Sequence, residues 1–569
     1  MAKIGYSSPS PLIKNLAPTS FNAAGGRAHQ IDDPAIRLIT KMGGYINEPT
    51  FYKSAPKVGA NSFNLSSLEP LAQEVIQTAA QTLTSGQPSD VLKIAAWARK
   101  ELNLRSTPPV LLALAATSGV FAGSGVVREY CKRVIQRPDE ARDVFAAWLF
   151  LNGHKLSKQR IPASLKRGLA DSLAKFKPAT ILKYDTVDHP TFGDMLKVLD
   201  RAENYPVHQA VRNVLVSGDW SGKLPDDVAK LRMFNQATEL NSEIIAICKD
   251  INIPWQNVIS KFGAEGMPAK QKAAAWEFAI HSMGEQALLM NMRNFEQANI
   301  SDHAWDIVEN GILGPAKNGK SRMMPYRYLS ALNQVSNRRA KDILSDALEA
   351  RAGALGYPEG NTCFLVDISG SMTYPVSAKS KMTIVDAAAA MAATMFRAKP
   401  KQVEIIVFNH IAKKLELTSR TAPEDIIRAI TQYTGGSTYG YAAAVDMFRH
   451  TQKTKQVFDR VVVLTDMQMY GSGVNTGNQF GTAFEVEIEK YRRTFNKNLR
   501  CFAVHLQGHG DTQIDPTRTN NIQLVGFNDA VLTQISVLEG TAAQDAPKDS
   551  PEQVQLDPKA LLEYIRANY

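Results

Sequence analysis

Two apolar runs in the last third of the chain each end on an aspartate, and they constrain the fold more than any other feature. Cys363-Phe364-Leu365-Val366 leads into Asp367-Ile368-Ser369-Gly370-Ser371, and Val461-Val462-Val463-Leu464 leads into Thr465-Asp466. Short apolar, β-branched runs bounded by turn residues read as buried strands. Val403 to Phe408 and Leu499 to Leu506 have the same character, and helical patterns separate the runs: Met382 to Arg397, Pro423 to Gln432 and Tyr441 to His450. Strands alternating with helices predict a doubly wound α/β domain, its mostly parallel sheet covered on both faces. Such sheets bind ligands outside the carboxyl ends of their strands, where Asp367 and Asp466 both fall.

The loops at that edge are rich in hard oxygen. Asp367, Ser369 and Ser371 share one loop; Thr434 to Gly440 adds the hydroxyls of Ser437 and Thr438 on a flexible Gly435-Gly436 backbone; Asp466 supplies a second carboxylate. Such ligands suit Mg²⁺ or Mn²⁺ rather than zinc. Asp and Ser are also ordinary turn and N-cap residues, but three loops agreeing in type and order favour the metal reading. Together they resemble the metal-ion-dependent adhesion site of von Willebrand factor A-type (vWA) domains. The resemblance implies that Ser369 and Ser371 bind the ion directly, with Asp367 and Asp466 held mainly through water. The family has Thr after Gly-Gly; Ser437 stands there in this chain and Thr438 follows, so either is a candidate. A cation held by neutral hydroxyls stays electron-poor, and its open position attracts a carboxylate or phosphate oxygen.

A chain of 569 residues exceeds one hydrophobic core and predicts a multidomain protein. It contains no apolar run long enough to span a bilayer, and its first residues lack the apolar centre of a signal peptide. Cys131, Cys248, Cys363 and Cys501 are scattered, with no CxxC. Reduced thiols in a cytoplasmic compartment are therefore expected, which argues against an extracellular adhesin. The formal charge of +10 admits a polyanionic partner without requiring one.

Before residue 350 the pattern changes. Helical periodicity recurs at short spacing, as in Leu68 to Thr82, Ser89 to Leu102, Pro109 to Phe121, Asp139 to Leu151, Ser164 to Phe176 and Gln286 to Gln297. Stacked helix pairs over this length predict an α-solenoid, although no clean repeat period stands out. One stretch is strongly basic: between His154 and Lys183, eight Lys or Arg face the single acid Asp171. Lys155, Lys158 and Arg160, with Lys166 and Arg167 beside them, suit a phosphate backbone, while a solvated basic surface is the plainer alternative. His189 and Tyr184 could stack on unpaired bases, though each is more often simply a packed or half-exposed side chain.

Gly43-Gly44-Tyr45-Ile46-Asn47, Leu165 to Asp171, Ala287 to Asn294 and Met324-Pro325-Tyr326-Arg327-Tyr328-Leu329 fall in the order seen in TROVE domains. With the vWA-type loops, the chain resembles the Ro autoantigen family, and within it a bacterial-type member. The resemblance implies an all-α, HEAT-like ring within a single chain over residues 1–355, a vWA-type domain over 356–540, and a linker with a short terminal helix over 541–569. It also implies a non-catalytic scaffold for RNA quality control. The partners would be a small noncoding Y-like RNA, the single-stranded ends of misfolded RNAs and a 3′-exoribonuclease. Lys166 and Arg167 align with basic residues of the family's RNA surface, and His189 lies near a family histidine. The alternative is a cytosolic scaffold whose metal captures a protein carboxylate without RNA.

Gly314-Pro315-Ala316-Lys317-Asn318-Gly319-Lys320-Ser321 fits the GxxxxGK[ST] phosphate loop. That motif needs a strand before it and a helix starting at its Lys-Ser. Trp305 to Leu313 is poorly β-like and Pro325 interrupts the helix start, so the segment reads as a mobile basic loop between helices. The ten histidines form no HExxH or Cys/His metal pattern, and Ser369 and Ser371 have no evident base in sequence.

Overall fold

The structure, a computed structural model, describes residues 20–21, 27–30, 32–43, 70–101, 104–152, 161–185, 190–199, 209–264, 266–321, 323, 325–332, 334–354, 359–375, 382–399, 401–469, 483–506, 511–515, 518, 520–525, 535 and 558–569. The chain forms two compact units. One gathers Met1–Asn47, Ala316–Ser330 and Leu344–Tyr564; the other gathers Glu48–Pro315, Ala331–Ile343 and Ile565–Tyr569.

The first unit is built on a sheet. In chain order its strands are β1 (Ser20–Phe21), β2 (Arg27–Gln30), β3 (Thr362–Asp367), β4 (Val403–Phe408), β5 (Ala412–Lys414), β6 (Arg460–Thr465), β7 (Arg500–His505), β8 (Asp511–Thr512) and β9 (Asn521–Val525). Six of them form one sheet in the order β5-β4-β3-β6-β7-β9, parallel except for the antiparallel edge strand β5. β3 and β6 therefore lie side by side at the centre, with Val366 opposite Leu464, and their carboxyl ends open on the same edge. The four strands expected from sequence are present; β5 and β9 are additional and too short or polar to stand out. β1, β2 and β8 form a separate small sheet, in which His29 of β2 is buried and its Nε2 lies 2.9 Å from Glu485 Oε2.

Strand alternation divides the apolar side chains between two layers. Phe364 and Val366 face a layer filled by the Ala-rich helix Ile384–Ala398 and by Ile426 and Ile430 of the helix Pro423–Thr431. Cys363 and Leu365 face the other layer, with Ala443, Ala444 and Met447 of the helix Gly440–Thr454 and with Phe484, Ile488 and Tyr491 of the helix Ala483–Thr494. The helix Ile384–Ala398 starts on a capping box: the Thr383 hydroxyl accepts from Asp386 N–H, and Asp386 accepts from Thr383 N–H.

In the second unit, the described residues from Pro70 to Pro315 form helices connected by short loops. They include Pro70–Ser85, Ser89–Lys100, Thr107–Thr117, Val126–Val134, Pro138–Asn152 and Ala163–Leu173. Sequence periodicity located most helices to within a few residues. It missed Val126–Val134, which is strongly amphipathic but only 9 residues long and rich in charge, and Asp226–Gln236, whose apolar residues leave little periodic signal.

The apparent phosphate loop is resolved by helix geometry. Gly314 to Lys317 are the last turn of the helix Asp302–Lys317, so no strand precedes the motif. The segment is therefore not wholly a loop between helices, as its composition suggested. Ser321 is buried, with its hydroxyl 3.0 Å from the Tyr328 hydroxyl. Pro325 begins the next helix, Pro325–Leu332, a position that its fixed φ favours.

Candidate metal centre and basic face

The three oxygen-rich loops meet at the carboxyl edge of β3 and β6. Asp367 ends β3 with no exposed surface; Ser369 is likewise fully buried, and Asp466, just past β6, is almost so. Backbone bonds tie the first two loops together: Gly370 N–H donates to Gly436 O at 2.9 Å, and Gly435 N–H to Ile368 O at 2.7 Å. Gly435 and Gly436 have φ of 135° and 81°, left-handed values that exact a steric cost from any side chain. A Cβ at Gly436 would also lie 2.7 Å from His410 Nδ1. The Gly-Gly pair thus lets the second loop close over the first.

Within this cradle the Ser369 and Ser371 hydroxyls are 3.2 Å apart, as two ligands of one small ion can be. Asp367 accepts from Ser369 N–H at 2.9 Å and from the Thr465 hydroxyl at 2.6 Å. Burial, and then the Asp466 carboxylate, push the Asp367 carboxyl up to about 7. Asp466 Oδ1 accepts from Gln468 N–H at 3.0 Å, whereas its Oδ2 is buried with no hydrogen-bond partner. Two mutually repelling buried carboxylates, one with an orphaned oxygen, beside paired hydroxyls fit a hard divalent cation. Among the described residues no three His, Cys, Asp or Glu gather as a metal site of their own. Ser437 and Thr438 sit on the same loop in different environments, Ser437 exposed and Thr438 buried. Immediately after Asp466, Met467 holds φ at 64°, a strained value for a non-glycine residue at the end of β6.

Of the residues expected to meet RNA, Lys155, Lys158, Arg160 and His189 lie outside the described residues. Lys166 and Arg167 lie on the helix Ala163–Leu173, half-buried and exposed respectively. This helix packs closely on Val126–Val134, because a Cβ at Gly168 would come within 2.4 Å of Cys131 Sγ. The contact brings in cations that the sequence reading passed over. Arg128 and Lys132 reach Asp171 at 2.7 and 3.2 Å, and Arg133, on the same helix, pairs with Glu129. The hydrogen bond from Arg128, aided by Lys132, holds the Asp171 carboxyl below its ordinary range. The result is a face with five cations (Arg128, Lys132, Arg133, Lys166, Arg167) against two acids. The signal was available in Arg128-Glu129-Tyr130-Cys131-Lys132-Arg133, but only helix packing sets that run beside Lys166 and Arg167. Two other lysines of the basic run bond backbone carbonyls: Lys175 Nζ donates to the Lys132 and Ile135 carbonyls, and Lys183 Nζ to those of Ile251 and Asn252. Tyr184 has the Arg137 guanidinium 4.9 Å from its ring centroid.

All four cysteines are free and buried, and among the described residues no helix is long and apolar enough to cross a membrane.

A six-stranded, mostly parallel sheet with hydroxyl and carboxylate loops at the ends of β3 and β6, following a helical region, defines a vWA-type domain carried behind helices. Residues 361–538 match the family model of the Ro60 vWA domain. The fold of the Deinococcus radiodurans Ro (Rsr) protein, known from a crystal structure, covers 88% of this chain and 99% of its own at a TM-score of 0.58 and 18% identity. At that identity the likeness shows a shared fold, across both the helical and the α/β parts. Mouse telomerase protein component 1 is 28% identical over 171 residues, which is 28% of this chain and 6% of that protein. This chain thus spans a small part of that relative's length.

Proposed function

We propose that the protein is a non-catalytic RNA-binding scaffold of the Ro type, binding a small structured Y-like RNA and the single-stranded ends of misfolded RNAs. The observation that carries this reading is the pair of packed helices that carries Arg128, Lys132, Arg133, Lys166 and Arg167. Cations fixed on adjacent rigid helices suit successive phosphates, and each phosphate neutralised releases counterions. The match of residues 361–538 to the Ro60 vWA domain supports RNA as the polyanion. Cooperation with a 3′-exoribonuclease in a reducing, cytoplasmic compartment completes the reading, which four free thiols support.

In the same reading the vWA domain holds Mg²⁺ or Mn²⁺ through Ser369, Ser371 and a second-loop hydroxyl, with Asp367 and Asp466 behind them. The bound ion would supply a Lewis-acidic position for one anionic oxygen. The chain's own part is to hold the hydroxyls together, to bury the carboxylates and to leave the strand edge open.

The test is binding of a fluorescein-labelled stem-loop RNA with a single-stranded 3′ tail, measured by anisotropy across a salt series. The pair Lys166→Ala with Arg167→Ala should weaken binding and flatten the slope of log K against log salt by about two; an unchanged slope overturns the reading. A second reading rests on Tyr374, Ile411 and Tyr433, exposed by 64, 60 and 54% on loops around the metal centre. Large apolar side chains around an electron-poor cation also suit a protein carboxylate. That reading gains if Asp367→Ala abolishes a protein contact while RNA affinity ignores Lys166 and Arg167.

A further inference from the structure

We propose that the helices Ser89–Lys100 and Val126–Val134 form a docking site for the chain's own segment Ile565–Tyr569, which there competes with RNA phosphate for Arg133. The proposal rests on the RNA reading of the basic face.

The anchor is a buried ion pair. Asp90, in the first turn of its helix, has no exposed surface. Arg566 closes on it from 476 positions away in sequence, Nε at 3.1 and 3.2 Å from the two carboxylate oxygens and Nη2 at 2.7 Å. A carboxylate sealed from water requires such a partner, and among the described residues Arg566 is the cation that meets it. Beside the pair, Ile565 is fully buried and Lys93 Nζ donates to the Arg566 carbonyl. Tyr569 forms the second anchor. Its ring lies 5.2 Å from Lys100 Nζ, its hydroxyl donates to Glu101, and its backbone oxygen accepts from the Tyr130 hydroxyl and from Arg133 Nη1, each at 2.6 Å. Two anchors one helical turn apart, received by side chains of both helices, recognise a sequence and not merely an apolar stripe.

The second anchor links docking to RNA. Arg133 shares its short helix with Arg128 and Lys132, but its guanidinium is held by Glu129 and by the Tyr569 oxygen. While the segment is seated, the face offers one cation fewer to phosphate. RNA that recruits Arg133 must loosen the segment, and the loosened segment must strengthen RNA binding, because the coupling is reciprocal.

The full-length chain tests this with a fluorescein-labelled oligouridine RNA. Arg566→Ala should bind that RNA more tightly at low salt and steepen the salt slope by about one. Adding Arg133→Gln should return the slope to its wild-type value. Hydrogen exchange at Ile565–Tyr569 should quicken in Arg566→Ala, and in the wild type on adding RNA. Should the uncompensated Asp90 unfold the variant, the pair Asp90→Ala with Arg566→Ala removes both charges and serves in its place. An unchanged salt slope, with Lys166→Ala and Arg167→Ala still weakening RNA binding, overturns the competition alone. If those two substitutions leave RNA binding intact, the basic-face reading fails and the competition falls with it. Exchange at Ile565–Tyr569 that does not respond to Arg566→Ala overturns the docking site itself.

Discussion

Asp367 shows why the proposed metal centre would call for an ion. Its carboxyl is raised to about 7, first by burial and then by Asp466, against roughly 3.9 for an unfolded aspartate. Because the folded value is the higher one, the stability this group contributes is fully present below about pH 4 and is lost as pH rises through about 7. A cation opposes both causes, so binding it must release a proton near neutral pH. Mn²⁺ affinity measured by calorimetry should therefore rise between pH 5 and 8, roughly in proportion to the ionised fraction of Asp367; Asp367→Asn should abolish that dependence. Substitution distinguishes the two second-loop hydroxyls. Of Ser437→Ala and Thr438→Val, the one that removes the ligand should lower Mn²⁺ affinity by roughly tenfold or more, and the other should preserve it.

Helices acquire function here through the closeness of their packing. Gly168 lets Ala163–Leu173 settle against Val126–Val134, with Cys131 Sγ where a methyl group would go. Gly168→Ala should cost about 1–3 kcal/mol, read as a lowered denaturation midpoint by circular dichroism. Cys131→Ala in the same chain should restore only part, because the Cβ of residue 131 and Arg128 Cα would still lie 2.8 and 3.1 Å from the new methyl. Burial pushes the Cys131 thiol up to about 12, so it packs as a small apolar group and not as a nucleophile. The strands follow the opposite rule. Their register is dictated by alternation alone, since a slip of one residue would turn Phe364 and Val366 out of one layer and Cys363 and Leu365 out of the other.

In the whole molecule, the cation site and the basic face are built from different elements and should be separable. Asp367→Ala should remove metal binding while leaving stem-loop RNA affinity within about twofold, as sites that share no partner residues add independently. Lys166→Ala with Arg167→Ala should do the reverse. A coupled loss in either variant would show that one ligand bridges both sites.

The sequence by itself determined the α/β domain and its oxygen-rich edge. Strand patterns, a DxSxS loop, a Gly-Gly-Ser-Thr loop and a strand-end Asp are local features, each written in consecutive residues and sufficient for the family resemblance. It also carried the helical character of the first part, because the 3.6-residue period is local too. Only the tertiary structure decided which distant residues meet. Arg128, Lys132 and Arg133 join Lys166 and Arg167 through one glycine contact, and Lys175 and Lys183 leave the basic run to bond carbonyls. Asp90 finds its counter-ion in Arg566, and half of an apparent phosphate loop becomes the last turn of a helix. Periodicity specifies the face an element buries, whereas the partner of that face is selected by packing across hundreds of residues, for which no short stretch of sequence holds the information.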